Sequence, residues 1–243
     1  MDPNIIVQTK DLSYKYPNGT AALENISLEI KEREKIAVLG PNGAGKSTLL
    51  LSLIGILKAG GDIHVNGLNV EKRTLKQIRR SIGFVFQDPD DQLFSPTVYD
   101  DIAFGPAQFD GNPENITSKV DNVLQLLNIS HLKDKRPVEL SSGEKKSVSL
   151  ATALVLEPKI LILDEPSSSL DPKHRRQILN FLIDYQKTII IATHDLDFAA
   201  ELCDRCLILH KGKVVADDST QKILTNKELL ESNDLELPLG QHF

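Results

Sequence analysis

The chain has no surplus of positive charge: 28 Lys+Arg stand against 34 Asp+Glu, a formal net charge of −6. That balance excludes a protein whose main task is to present a broad basic surface to nucleic acid. Any run near the roughly 18 apolar residues of a membrane span is also missing; the richest stretch, Leu49 to Leu57, is interrupted by Ser52 and Gly55. The first residues, Met1-Asp2-Pro3-Asn4, do not lead from a basic region into an apolar one, so no secretory signal is expected. Repeats, low-complexity tracts and obvious linkers are absent as well. Cysteine is scarce, and its two copies sit together in Cys203-Asp204-Arg205-Cys206. Such a pair suits a redox couple or half of a zinc site, but there is no second CxxC, and His210 is the one nearby candidate ligand. Both thiols are therefore read as small apolar residues at a helix end and a strand start, with no metal assigned to them. What remains is an ordinary globular composition, 40% hydrophobic and 26% charged. Its length suits one or two domains of roughly 100–200 residues. The expectation is a soluble, intracellular chain.

The pattern along the chain is mixed α/β. Ile5-Ile6-Val7 and Leu12 to Tyr16 read as strands before a turn at Pro17-Asn18-Gly19. Ile26 to Ile30 alternates like a half-buried strand. Lys35 to Leu39 is a short apolar run ending in Gly40, with a helical pattern from about Lys46. Ile63 to Val65 with Asn66-Gly67 predicts a strand and tight turn, and Ile82 to Phe86 another strand. From about Thr97 to Leu156 the period becomes helical, with Val120, Val123, Leu124 and Leu127 on one face. Ile160 to Leu163 and Thr188 to Thr193 are apolar without alternation, as strands buried on both faces of a parallel sheet should be. Leu207 to Ala216 suggests a closing hairpin, followed by a polar, acid-leaning helical tail.

Gly40-Pro41-Asn42-Gly43-Ala44-Gly45-Lys46-Ser47 fits GxxxxGK[ST] between a predicted strand and a predicted helix. Glycines let consecutive N–H groups curl towards a phosphate, and the helix N-terminus adds its positive dipole end. Lys46 would meet the β- and γ-phosphates of a nucleoside triphosphate, and Ser47 would ligate Mg2+. A carboxylate for that metal follows the buried run at Ile160–Leu163, in Asp164-Glu165-Pro166. Asp164 would hold Mg2+ through water, and Glu165 would act as general base on an attacking water.

A GTPase should carry NKxD, but the nearest string, Asn226-Lys227-Glu228-Leu229, lacks the Asp. A small-molecule kinase would not need the Asp-Glu pair. Leu140-Ser141-Ser142-Gly143-Glu144 stands 24 residues (164 − 140) before Asp164, at the start of a predicted helix. Here the chain resembles the ATP-binding cassette (ABC) ATPases, whose signature is LSGGQ or a variant such as LSSGE. The likeness runs from about Val7 to Ala216. It implies an α/β fold: a P-loop NTPase (RecA-like) core with a mainly parallel sheet, an N-terminal antiparallel β subdomain and an inserted α-helical subdomain. It also implies that Gln87 is the Q-loop glutamine and a Mg2+ ligand, Asp171 the D-loop aspartate, His194 the switch histidine and Tyr16 the adenine-stacking aromatic. The ATP site would then comprise Tyr16, Gly40 to Ser47, Thr48 and Gln87. Ser141, Ser142, Gly143, Glu144 and Asp171 would contact the nucleotide of a partner subunit, two ATP molecules joining a head-to-tail dimer. A Ser hydroxyl and a Gly N–H at a helix start do make an anion site. One departure stands out: the resemblance asks for Arg after the signature, where this chain has Lys145-Lys146-Ser147. That substitution bears on a structural contact of the signature helix, not on the chemistry.

Long coiled-coil insertions and tandem cassettes, found in DNA-repair and translation members, are absent. The resemblance therefore implies a single-domain motor of a membrane importer. Its core would be about 1–96 and 157–217, its helical subdomain about 97–156 and its tail about 218–243. It would sit peripherally on the cytoplasmic face of the membrane, as a homodimer or paired with another ABC ATPase, with no nucleic-acid partner. Asp88 to Val98 and Asp101 to Pro106 resemble the energy-coupling-factor branch, including the cobalt and nickel ATPases. Integral membrane subunits would then dock near Gln87 to Pro106, with acidic residues meeting basic groups and Leu93 and Phe94 as apolar anchors. The short stretch after Ala216 tilts the expectation from vitamin to cobalt or nickel import. A soluble ABC protein acting on a non-membrane partner is the alternative.

Overall fold

In the computed structural model, which describes residues 4–109 and 112–240, the first two apolar runs are one strand, β1 (Ile5–Lys15). The break read between them is a bulge: the register against β2 (Ala21–Lys31) shifts between Thr9 and Leu12, and Asp11 takes φ 51°. Next come β3 (Lys35–Leu39), α1 (Lys46–Leu53), β4 (Gly60–Val65) and β5 (Leu68–Asn69). The two-residue turn Asn66-Gly67, both at positive φ, joins β4 to β5 as a hairpin of the predicted kind. Then follow α2 (Leu75–Ser81), β6 (Ile82–Val85), α3 (Val98–Ala107), α4 (Pro113–Leu126), α5 (Ser142–Leu154), β7 (Ile160–Asp164) and α6 (Pro172–Asp184). The chain closes with β8 (Thr188–Thr193), α7 (Leu196–Leu202), β9 (Arg205–His210), β10 (Lys213–Ser219), α8 (Thr220–Leu224) and α9 (Lys227–Glu231).

Two units form. Met1–Arg79 with Gln186–Phe243 holds an antiparallel sheet in the order β2-β1-β4-β5. It also holds β10-β9-β3-β8, in which β3 runs parallel to both β8 and β9. Every residue of β8 is buried, as its unbroken apolar string demands. Arg80–Tyr185 holds the parallel pair β6 and β7 together with α3 to α6. Val120, Val123 and Leu124 form the buried face of α4, while Leu127 is only half-buried at its C-terminal cap. Cys203 ends α7 and Cys206 lies in β9, both buried. That is the helix end and strand start expected of them. No helix among the described residues is long and apolar enough to cross a membrane.

Candidate active site

In the first unit, the phosphate-type loop leaves the end of β3 and enters α1. Its glycines answer to close approach. A Cβ on Gly40 would lie 2.2 Å from Leu209 O, and one on Gly45, at φ 107°, 2.4 Å from Ala22 O. Neither place admits a side chain, so the loop is backed tightly against β2 and β9. The Gly212 N–H donates to Ala44 O at 3.0 Å and fixes the loop from behind. Lys46 is 6% exposed. Its ammonium donates to Gly40 O at 2.8 Å and Pro41 O at 3.2 Å, so its charge sits at the loop and not in bulk water. Ser47 is half-buried in the first turn of α1. Tyr16 stands beside this helix, its hydroxyl 3.0 Å from Thr48 Oγ1 and its ring edge-on to Tyr14.

His194 follows β8 directly and is exposed. The parallel register pairs Leu39 with Thr193, so Gly40 and His194 leave neighbouring strands at the same end. That end is where open α/β sheets carry their ligands.

The second unit repeats the logic. Val85 pairs with Leu163, so the Gln87 segment and the Asp164-Glu165 pair leave β6 and β7 at one end. Asp164 and Glu165 are 6% and 4% exposed. Glu165 takes φ 47°, uncommon for a residue with a Cβ. Gln87 itself is exposed. Behind it, Lys146 lies almost fully buried on α5 and donates to Phe86 O at 3.2 Å and Gln87 O at 2.9 Å. Lys146 thus ties α5 to the Gln87 segment. Burial pushes this ammonium down to about 8, against the opposing pull of Asp164, Asp88 and Glu165. Gln92 completes the brace. It accepts from Phe86 N–H at 3.0 Å and donates to Phe84 O, Ser149 O and Thr152 Oγ1. Sequence reasoning missed the roles of Gln92 and Lys146, because their partners lie up to 60 residues away along the chain.

Ser141 caps α5. Its hydroxyl accepts from Glu144 N–H at 3.3 Å, and the Glu144 carboxylate accepts in return from Ser141 N–H at 2.8 Å and from the hydroxyl at 2.9 Å. This reciprocal capping box holds the Glu144 carboxyl below its usual range, chiefly through the Ser141 N–H. Asp171 caps α6, accepting from Lys173 and His174 N–H.

Two residues of the segment expected to dock a partner lie otherwise than expected. Leu93 is only 6% exposed, and its N–H donates to Pro89 O within a tight turn. Asp101, also buried, accepts from the N–H groups of Phe94 and Ser95. These bonds fold the segment onto α3, turning Leu93 inward and removing Asp101 from solvent. Phe94, by contrast, is exposed as expected, and so is Phe104; they are 68% and 50% exposed, with ring centroids 5.3 Å apart.

The ABC transporter family model matches residues 23–168, more than half of the chain. The chain belongs to the ABC transporter family. It is an ABC ATPase, and ATP is its nucleotide. It is 43% identical to the energy-coupling factor transporter ATP-binding protein EcfA of Carboxydothermus hydrogenoformans, over 97% of this chain and 88% of that protein. Among solved structures it resembles cbiO1 of Clostridium perfringens, part of the ABC transporter complex cbiONQ. That likeness has TM-score 0.83 and 41% identity, covering 94% of each chain. The ATP-binding cassette MJ0796, solved as a dimer bound to ADP and Pi, superposes with TM-score 0.80 at 28% identity, over 88% of this ABC ATPase and 98% of that chain.

Proposed function

We propose that this ABC ATPase is the motor subunit of an energy-coupling-factor-type importer, coupling ATP hydrolysis to uptake of a metal ion, cobalt or nickel, as cargo. The reading is carried by one observation. The tightly backed Gly40–Ser47 loop occurs in a chain that aligns over 97% of its length with an energy-coupling-factor ATP-binding protein. The proposal takes the chain as one ABC ATPase domain with a helical block at about 97–156.

In this proposal Gly40 to Ser47 and Thr48 wrap the phosphates, and Tyr16 stacks on adenine. Lys46 neutralises β- and γ-phosphate charge. Ser47, Gln87 and Asp164 offer only oxygen donors, the set that suits Mg2+, which when bound neutralises charge developing on the phosphates. Glu165 takes the proton from the attacking water, and His194 hydrogen-bonds the γ-phosphate and orients that water. Ser141, Ser142, Gly143, Glu144 and Asp171 face the nucleotide of a partner ATPase, identical or not. The Phe94–Phe104 surface docks integral membrane subunits, holding the ATPase peripherally at the cytoplasmic face of the membrane.

The test is to tag the chain, solubilise native membranes in detergent, and identify what copurifies. Integral proteins that support ATP-dependent cobalt or nickel uptake on reconstitution are the expected result. A second, unlike ATPase with vitamin uptake would overturn the cargo assignment. Recovery from the soluble fraction alone would overturn the transport reading.

A further inference from the structure

His174 is used by none of the roles above, yet it joins two segments that the proposed function sends to the same nucleotide. Its ring lies against the signature glycine. A Cβ on Gly143 would stand 2.4 Å from His174 Cγ and 2.7 Å from Nδ1 and Cδ2, so only hydrogen fits between this turn and the imidazole. The ring's Nδ1 is 2.5 Å from Asp171 Oδ2. A carboxylate only accepts, so the ring N–H donates. The other oxygen of Asp171 is taken by the N–H groups of Lys173 and His174, leaving the carboxylate locked on both sides. A second, weaker link runs alongside, from Ser142 Oγ to Ser169 O at 3.3 Å.

We infer that His174 is a positioning residue that binds the D-loop aspartate to the signature turn, so that the two present a single preassembled face to the partner subunit's ATP. This rests on the proposed roles of Ser141 to Glu144 and of Asp171. Separated, each segment would have to be ordered when the dimer closes. Joined, they arrive together, and the cost of ordering falls on folding. The hydrogen bonds from His174 are also the first causes holding the Asp171 carboxyl below its usual range, which keeps it an acceptor.

The experiment compares His174→Ala with His174→Asn in the full chain; the asparagine amide places an N–H where Nδ1 stood. In His174→Ala, ATP turnover should fall about tenfold or more with KM for ATP within about twofold, the signature of misplacement and not of lost binding. His174→Asn should recover most of that loss. Amide hydrogen exchange, read without nucleotide, should speed up in 141–144 and 169–174 together in His174→Ala and stay slow in His174→Asn. Exchange unchanged in either segment, turnover unchanged in His174→Ala, or no recovery in His174→Asn would each overturn the inference. Wild-type protein that binds and turns over no ATP would instead indict the proposed function, while the exchange data still judge the link itself.

Discussion

Lys46 carries the most direct residue-scale consequence. Its ammonium is delivered to the loop by two backbone carbonyls, so Lys46→Ala removes the charge that meets the phosphates without disturbing β3 or α1. ATP affinity should drop by about a hundredfold or more, measured by isothermal titration, while the thermal midpoint hardly moves. Retained affinity would refute the loop's role. The two thiols make the opposite kind of prediction. Burial pushes the Cys206 thiol up to about 12 and the Cys203 thiol well above its ordinary value. Neither offers a thiolate at pH 8, so a thiol reagent should label the folded chain only after denaturation. The sign of the linkage also follows. In the unfolded chain Cys206 ionises near 9. The stability contributed by its raised folded value is therefore complete below pH 9 and lost as pH climbs from about 9 to 12. Denaturant midpoints across that window check it.

At the scale of elements, legibility followed locality. β3, β7 and β8 were readable because buried parallel strands are unbroken apolar strings, and Asn66-Gly67 was readable because its turn demands positive φ at both residues. The phosphate loop was readable because all its chemistry lies within eight residues. The bulge at Asp11 was not, since a bulge and a strand break leave the same local trace. Nor were the braces of the Gln87 segment, whose partners on α5 come from far along the chain. Gln92 accepts one hydrogen bond there and donates through two N–H groups shared among three acceptors, each full bond worth about 1 kcal/mol net. Gln92→Ala should destabilise the fold by about 2–4 kcal/mol in chemical denaturation and lower turnover with it. The inward turn of Leu93 was equally hidden, because a Leu-Phe pair does not declare which side chain the backbone will bury. With Phe94 and Phe104 identified as the exposed pair, substituting both by Asp should leave ATP turnover of the isolated chain within about twofold and abolish capture of membrane partners. Copurification with those partners intact would refute the docking surface.

For the whole molecule, the account is of an ABC ATPase proposed to do its work through other chains. The family resemblance read from these ordered motifs is the family membership that the comparisons establish. The cargo is a proposal resting on resemblance, since the specificity surface would belong to the membrane subunits. The central claim, that Glu165 activates water for hydrolysis of ATP shared by two closed subunits, meets its most direct test in Glu165→Gln. Turnover and oligomeric state should be measured together, with Mg-ATP in excess. The account predicts that turnover falls by about a hundredfold or more, that ATP remains bound, and that the chain elutes as an ATP-stabilised dimer. Undiminished turnover, or a chain that stays monomeric with ATP bound in both its pure form and beside its copurifying ATPase, would contradict it.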